Sequence, residues 1–134
     1  MSEKPWRILV IEDDKDMSSA IKMRLEANHF EVLTAEDGFE GLAKARSEKP
    51  DLIILDIMLP KIDGFNVCRM LKFDEKYKNL IIIILSAKVQ QSDIEKGKEV
   101  GADAYITKPF KAEELLAKIN EMLASPPKPK IEPK

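Results

Sequence analysis

The stretch Asp51-Leu52-Ile53-Ile54-Leu55-Asp56-Ile57-Met58-Leu59-Pro60 decides the fold of this chain. Four aliphatic residues stand between two acids, and a proline closes the segment. A short apolar run between such breakers is the pattern of a strand buried on both faces, as in a parallel sheet. The residue that follows the run, Asp56, then sits at the carboxyl end of the strand. In open α/β sheets that edge is where ligands bind. Asp56 is therefore the residue whose presence asks for an explanation.

Outward from this strand, strand and helix patterns alternate. Upstream, Ile8 to Ile11 reads as a first buried strand closed by Glu12-Asp13-Asp14. Met17, Ala20, Ile21 and Leu25 follow at helical spacing, with Asp14 and Asp16 at the helix N-terminus, where negative charge is favoured. Asn28-His29 ends that helix. Phe30 to Ala35 predicts a second strand, more polar and nearer an edge. Asp37-Gly38 reads as a turn, and Phe39, Leu42, Ala43 and Ala45 as a second helix that stops before Pro50.

Downstream, Asp63-Gly64 opens a third helix carrying Phe65, Val67, Cys68 and Leu71, with Asp63 read as a turn residue. Lys72 to Asn79 is a polar loop. Leu80 to Leu85 is the strongest strand signal, β-branched and followed by Ser86. Ser92 and Glu95 have capping-box spacing for a fourth helix that ends at Gly101. Ala104 to Thr107 is a short fifth strand. After Lys108-Pro109-Phe110, Leu115, Leu116, Ile119, Met122 and Leu123 make the stripe of a fifth helix. Five strands separated by single helices predict an α/β doubly wound (βα)5 fold, a parallel sheet with helices on both faces.

The chain has 134 residues, enough for one domain with a single core. Its 22 basic and 24 acidic residues leave a net charge of −2, with no basic footprint for nucleic acid. No apolar run approaches the length of a membrane span, and the N-terminus lacks the apolar region of a signal peptide. The lone Cys68 excludes an internal disulfide and fits a reducing compartment. The expected location is the cytoplasm. The domain is expected over 1–124. The Pro/Lys-rich segment 125–134 reads as an extended tail or the start of a linker, which leaves open a stand-alone domain or one part of a larger protein.

Four strands end in chemically loaded residues: Glu12 and Asp13 after the first, Asp56 after the third, Ser86 after the fourth, Lys108 after the fifth. In a parallel sheet all of these ends lie on one edge, so residues distant in sequence converge. Three carboxylates in one cleft repel one another. A hard divalent cation resolves that conflict, and an oxygen donor set with no His or Cys nearby selects Mg²⁺, or Mn²⁺, over Zn²⁺. Lys108 adds a positive point charge and Ser86 a hydroxyl. Together such groups can hold a phosphoryl group, and a carboxylate can accept one.

These residues in combination carry a resemblance. Ile8-Leu9-Val10-Ile11-Glu12-Asp13-Asp14, the stretch Asp51 to Pro60 with Asp63-Gly64, Leu85-Ser86-Ala87, and Gly101-Ala102-Asp103-Ala104-Tyr105-Ile106-Thr107-Lys108-Pro109-Phe110 resemble the CheY-like receiver domain of bacterial two-component response regulators. The likeness runs from about Arg7 to Ala124. It implies a flavodoxin-like strand order 2-1-3-4-5, which sets Asp13 beside Asp56.

The resemblance also implies roles. Asp56 accepts a phosphoryl group from a phosphohistidine on a sensor histidine kinase or phosphotransfer protein. Asp13 ligates Mg²⁺ directly, Glu12 assists, and the Met58 backbone carbonyl is a further ligand. Lys108 contacts the phosphoryl oxygens, and the Lys108–Pro109 peptide is cis. Ser86 and Tyr105 move together as the switch, and the fourth helix, fifth strand and fifth helix (91–124) form the output face, through which homodimers are implied. Met58 and Lys88 flank the site where relatives tune dephosphorylation. Glu12 and Ser86 stand where many relatives have Asp and Thr.

Plainer readings stand beside these. Without the resemblance, Tyr105 is a surface aromatic on an edge strand and Ser86 a strand-end hydroxyl. His29 is a solvated helix-end residue and Cys68 a small core residue. Two other functions compete. A haloacid-dehalogenase-type phosphatase needs a second Asp two residues after its nucleophile, where this chain has Met58. A flavodoxin-like cofactor binder needs a phosphate cradle, where Glu12-Asp13-Asp14 repels phosphate. The expected protein is thus a signalling switch that turns over no substrate of its own.

Overall fold

The computed structural model describes residues 4–124. In chain order the elements are β1 (Arg7–Ile11), α1 (Lys15–Ala27), β2 (Glu31–Ala35), α2 (Gly38–Glu48), β3 (Leu52–Leu55), α3 (Gly64–Lys72), β4 (Ile81–Ser86), α4 (Gln91–Glu99), β5 (Ala104–Thr107) and α5 (Ala112–Ala124). All strand pairs are parallel, and the sheet order is β2-β1-β3-β4-β5. The more polar second strand is an edge, as its composition predicts.

The unbroken aliphatic runs follow from burial on both sides of the sheet. Odd and even residues of one strand enter different cores. Leu9, Ile11, Ile53, Leu55, Ile82 and Ile84 pack against α2, α3 and the end of α4. Ile8, Val10, Leu52, Ile54, Ile81, Ile83 and Leu85 pack against α1 and α5. A strand of period two covered on both faces has no polar side to present. Each such side chain contributes about 1.5–3 kcal/mol on burial. The stripe of α5 divides as a helix should: Leu115, Ile119 and Leu123 are buried, while Leu116 and Met122 flank them.

Three sequence expectations need correction. Asp37-Gly38 is no turn between elements. Asp37 is the N-cap of α2, accepting from the Glu40 N–H at 2.7 Å, and Gly38 is already helical. Asp63 does the same for α3 through the Asn66 N–H at 3.1 Å. Nor does Ser92 cap α4. The helix starts earlier, after Gln90, whose N–H is taken by the Asp93 carboxylate at 3.3 Å. An acid in the third helical position can reach back in this way, which the Ser92–Glu95 spacing hid. The C-terminal end agrees better: α4 stops at Glu99, and Gly101 takes the left-handed backbone (φ 95°) that terminates it. The expected tail, 125–134, lies outside the described residues.

Candidate functional site

Strand order reverses between β1 and β3, because the chain runs outward to β2 on one side and to β4 and β5 on the other. Crossover helices leave in opposite directions there and open a crevice at the carboxyl edge. Ile11 and Leu55 are the last paired residues of the two strands. The next residues, Glu12 and Asp56, are tethered by backbone to neighbouring strands: Glu12 N–H to the Ala35 carbonyl and Asp56 N–H to the Ile11 carbonyl, both at 3.0 Å. Their side chains are thereby aimed into the crevice.

Glu12, Asp13 and Asp56 each place a carboxylate oxygen within 4.8 Å of the others. Glu12 and Asp56 are buried, at 4% and 7% exposure, and Asp13 is open to solvent. Lys108, delivered by the chain leaving β5, bridges the two buried acids. Its Nζ donates to Glu12 Oε1 at 2.9 Å and to Asp56 Oδ2 at 3.3 Å. The Asp14 N–H donates to Glu12 Oε2 at 3.1 Å, and the Met58 N–H to Asp56 Oδ1 at 3.3 Å. The Lys108–Pro109 peptide is cis.

The electrostatics follow from this crowding. Burial pushes the Glu12 carboxyl above its ordinary range; the Lys108 and Asp14 hydrogen bonds pull against that, and the Asp56 charge adds to it. Burial opposes the Lys108 charge, but the Glu12 hydrogen bond and the Asp56 and Glu12 charges outweigh it and hold the ammonium above the ordinary lysine value. Three carboxylates against one ammonium leave two negative charges in the crevice. An all-oxygen donor set with that deficit fits Mg²⁺ or Mn²⁺.

A close approach of backbone completes the pocket floor. The N-terminus of α3 folds under Asp56, with the Gly64 N–H on the Ile57 carbonyl at 2.7 Å. A Cβ at Gly64 would lie 2.2 Å from the Asp56 carbonyl oxygen and 2.6 Å from Ile57 Cα. Only glycine lets the helix come this near, which explains the Gly of Asp63-Gly64.

Ser86 and Tyr105 are joined through one backbone residue, Lys88. Ser86, the last residue of β4 and fully buried, accepts the Lys88 N–H on Oγ at 3.2 Å. Tyr105 donates its hydroxyl to the Lys88 carbonyl at 2.7 Å. Burial, with the charge of Asp93, raises the Tyr105 phenol above its ordinary value. The Lys108 N–H donates to the Ser86 carbonyl at 2.9 Å, tying the hydroxyl's strand to the lysine's loop. This role of the Lys88 backbone has no sequence signal, because any residue but proline supplies the same two groups. The Met58 side chain is exposed beside the acids, while His29 ends α1 with a left-handed backbone (φ 72°), away from the site. Cys68 is buried in the core, its thiol 3.5 Å from the Val100 carbonyl.

Comparison with known proteins agrees with the fold. Residues 8–120 match the response regulator receiver domain family, and the chain belongs to it. It is 44% identical over 117 residues to the DNA-binding dual master transcriptional regulator RpaA of Synechocystis sp., and 43% identical over 117 residues to the alkaline phosphatase synthesis transcriptional regulatory protein PhoP of Bacillus subtilis. These matches cover 87% of this chain but 48% of each relative, so the chain spans about half their length. Protein PilG of Pseudomonas aeruginosa is 39% identical over 119 residues, covering 89% of this chain and 88% of PilG.

Among solved structures, the CheY-like receiver domain protein of Methanospirillum hungatei superposes with a TM-score of 0.85 at 32% identity, covering 90% of this chain and 94% of that one. The BeF3-activated DrrB receiver domain superposes with a TM-score of 0.82 at 34% identity, covering 90% and 98%. Among the described residues, no helix is long and apolar enough to cross a membrane.

Proposed function

We propose that this receiver domain is a phosphorylation-operated switch in which Asp56 is the phosphoryl acceptor. The observation that carries the reading is Lys108 Nζ bonded at once to Glu12 and Asp56, within a cluster of three acids at the switch point of the sheet. An Asp56 oxygen attacks phosphorus as the bond to a phosphohistidine nitrogen breaks, giving an acyl phosphate and free imidazole. The donor is a sensor histidine kinase or phosphotransfer protein, which this domain meets in the cytoplasm. Lys108 leaves its carboxylate partners for the incoming phosphoryl oxygens, and Ser86 supplies a hydroxyl donor. Glu12, Asp13, Asp56 and the Met58 carbonyl would hold Mg²⁺, which supplies the positive charge the acids lack when phosphoryl oxygens arrive.

The arriving group adds a charge of about −1.5 to −2. Ser86 turns toward it, the loop at Lys88 follows, and the Tyr105 ring moves with that loop. The surface of α4, β5 and α5 thereby changes shape and becomes the output face, where a second copy docks. The domain assists only its own phosphorylation and hydrolysis; Met58, standing where a phosphatase needs a proton donor, moves no proton.

The test is intact mass after incubation with acetyl phosphate. One phosphoryl group should be gained with Mg²⁺, none in EDTA, and none in Asp56→Asn. An adduct that persists in Asp56→Asn, or that forms equally in EDTA, would sink the assignment.

A further inference from the structure

We infer that Gly97 is a positioning residue for the switch: the side chain it lacks leaves a seat on α4 for the Tyr105 ring. The inference rests on the switch reading above. Gly97 is the one buried residue of α4. A glycine in a helix interior weakens the helix, so its place here needs a reason outside local propensity. A Cβ at this position would stand 3.0 Å from Tyr105 Cδ2, 3.4 Å from Tyr105 Cε2 and 3.3 Å from Ile84 Cδ1. The helix therefore rests directly on the ring. Ile84 is fully buried in the sheet and cannot yield, whereas the half-buried ring can swing toward solvent.

The consequence reaches the site. Seated against Gly97, the ring delivers its hydroxyl to the Lys88 carbonyl at 2.7 Å, and the Lys88 N–H holds Ser86 Oγ at 3.2 Å. A larger group at position 97 expels the ring and cuts the Tyr105 hydroxyl from the Lys88 carbonyl, the residue whose N–H holds Ser86 Oγ. Gly97 touches neither the acids nor Lys108, so phosphoryl acceptance is untouched.

The test is Gly97→Val in protein carrying ¹³C-labelled tyrosine. In the native protein the Tyr105 ring should show NOEs to the Ile84 methyl; in the variant they should vanish and the Tyr105 signals should move, while those of Tyr77 stay. With Mg²⁺ and acetyl phosphate, intact mass should show both proteins phosphorylated, yet only the native Tyr105 signals should respond. The double variant Gly97→Val/Tyr105→Ala should regain the melting temperature, or the folding, that Gly97→Val loses. A valine that merely weakens the helix would leave the double variant as unstable as the single. That result, or Tyr105–Ile84 NOEs retained in Gly97→Val, overturns the proposal. A native protein that accepts no phosphoryl group refutes the switch reading instead, and the NOEs of the unmodified protein still decide for or against the seat.

Discussion

Asp13 and Glu12 are neighbours in sequence with opposite situations. Asp13 is exposed and makes no ion pair among the described residues, yet its oxygen lies within 4.8 Å of those of Glu12 and Asp56. Like charges about 4 Å apart cost on the order of 1 kcal/mol even in bulk water. Without a divalent cation, Asp13→Asn should therefore raise unfolding stability by about 1 kcal/mol at low ionic strength. Saturating Mg²⁺ should reverse the order, since only the native cluster then gains from binding. Urea titrations with and without Mg²⁺ check this, and an Asp13→Asn that is less stable in EDTA counts against the repulsion. Glu12 sets a pH dependence. Its folded pKa lies above the ordinary 4.5, so its stabilising contribution is complete below that value and is lost as pH rises through the raised one. In metal-free protein, Glu12→Gln should remove that fall.

Helix starts were the least legible elements, and the reason is physical. An Asp-Gly pair reads as a turn by composition, but here both pairs are an N-cap followed by a glycine pressed on neighbouring backbone. The cap is local and visible; the close approach depends on how the segment after β3 folds back, with Ile62 against Gly38 and Asp56 and Ile57 against Gly64, and is not. Asp63→Ala should cost about 1 kcal/mol as a lost cap. Gly64→Ala, though nominally a better helix former, should cost roughly 1–3 kcal/mol as overpacking against the Asp56 carbonyl. A Gly64→Ala as stable as the native protein would refute the steric reading. The start of α2 adds a second pH dependence. The Glu40 N–H holds the Asp37 carboxyl below its ordinary 3.8, and the Glu36 N–H, with Lys44, holds Glu40 below 4.5. Both stabilise fully above those values and fail as pH falls below them. Acid unfolding followed by circular dichroism should be shallower in Asp37→Asn/Glu40→Gln than in the native protein.

Across the whole molecule, the sheet has an acidic carboxyl edge and a clamped amino edge. At the latter, Lys72 at the end of α3 donates to the Leu80 carbonyl at 2.7 Å and to Asp103 at 3.0 Å, and the same Asp103 oxygen accepts the Ile82 N–H at 2.9 Å. Both side chains are under a tenth exposed. Lys72→Met strands a buried carboxylate and should cost roughly 3–5 kcal/mol, read by urea unfolding; a loss under 1 kcal/mol would show that Asp103 is hydrated after all. This clamp was invisible in the sequence, where Lys72 began a polar loop. The aliphatic runs were legible because both faces of the sheet are covered, and the acids, Ser86 and Lys108 because strand ends share an edge. The Lys88 bridge between Ser86 and Tyr105 was not, because it is main chain.

That last connection separates two things evolution can adjust. At Lys88 the peptide N–H and carbonyl are engaged by Ser86 and Tyr105, while the side chain is exposed. Replacing this side chain leaves both backbone bonds in place, because every residue but proline supplies them. The surface at this position can therefore be rewritten while the wiring beneath it stays as it is.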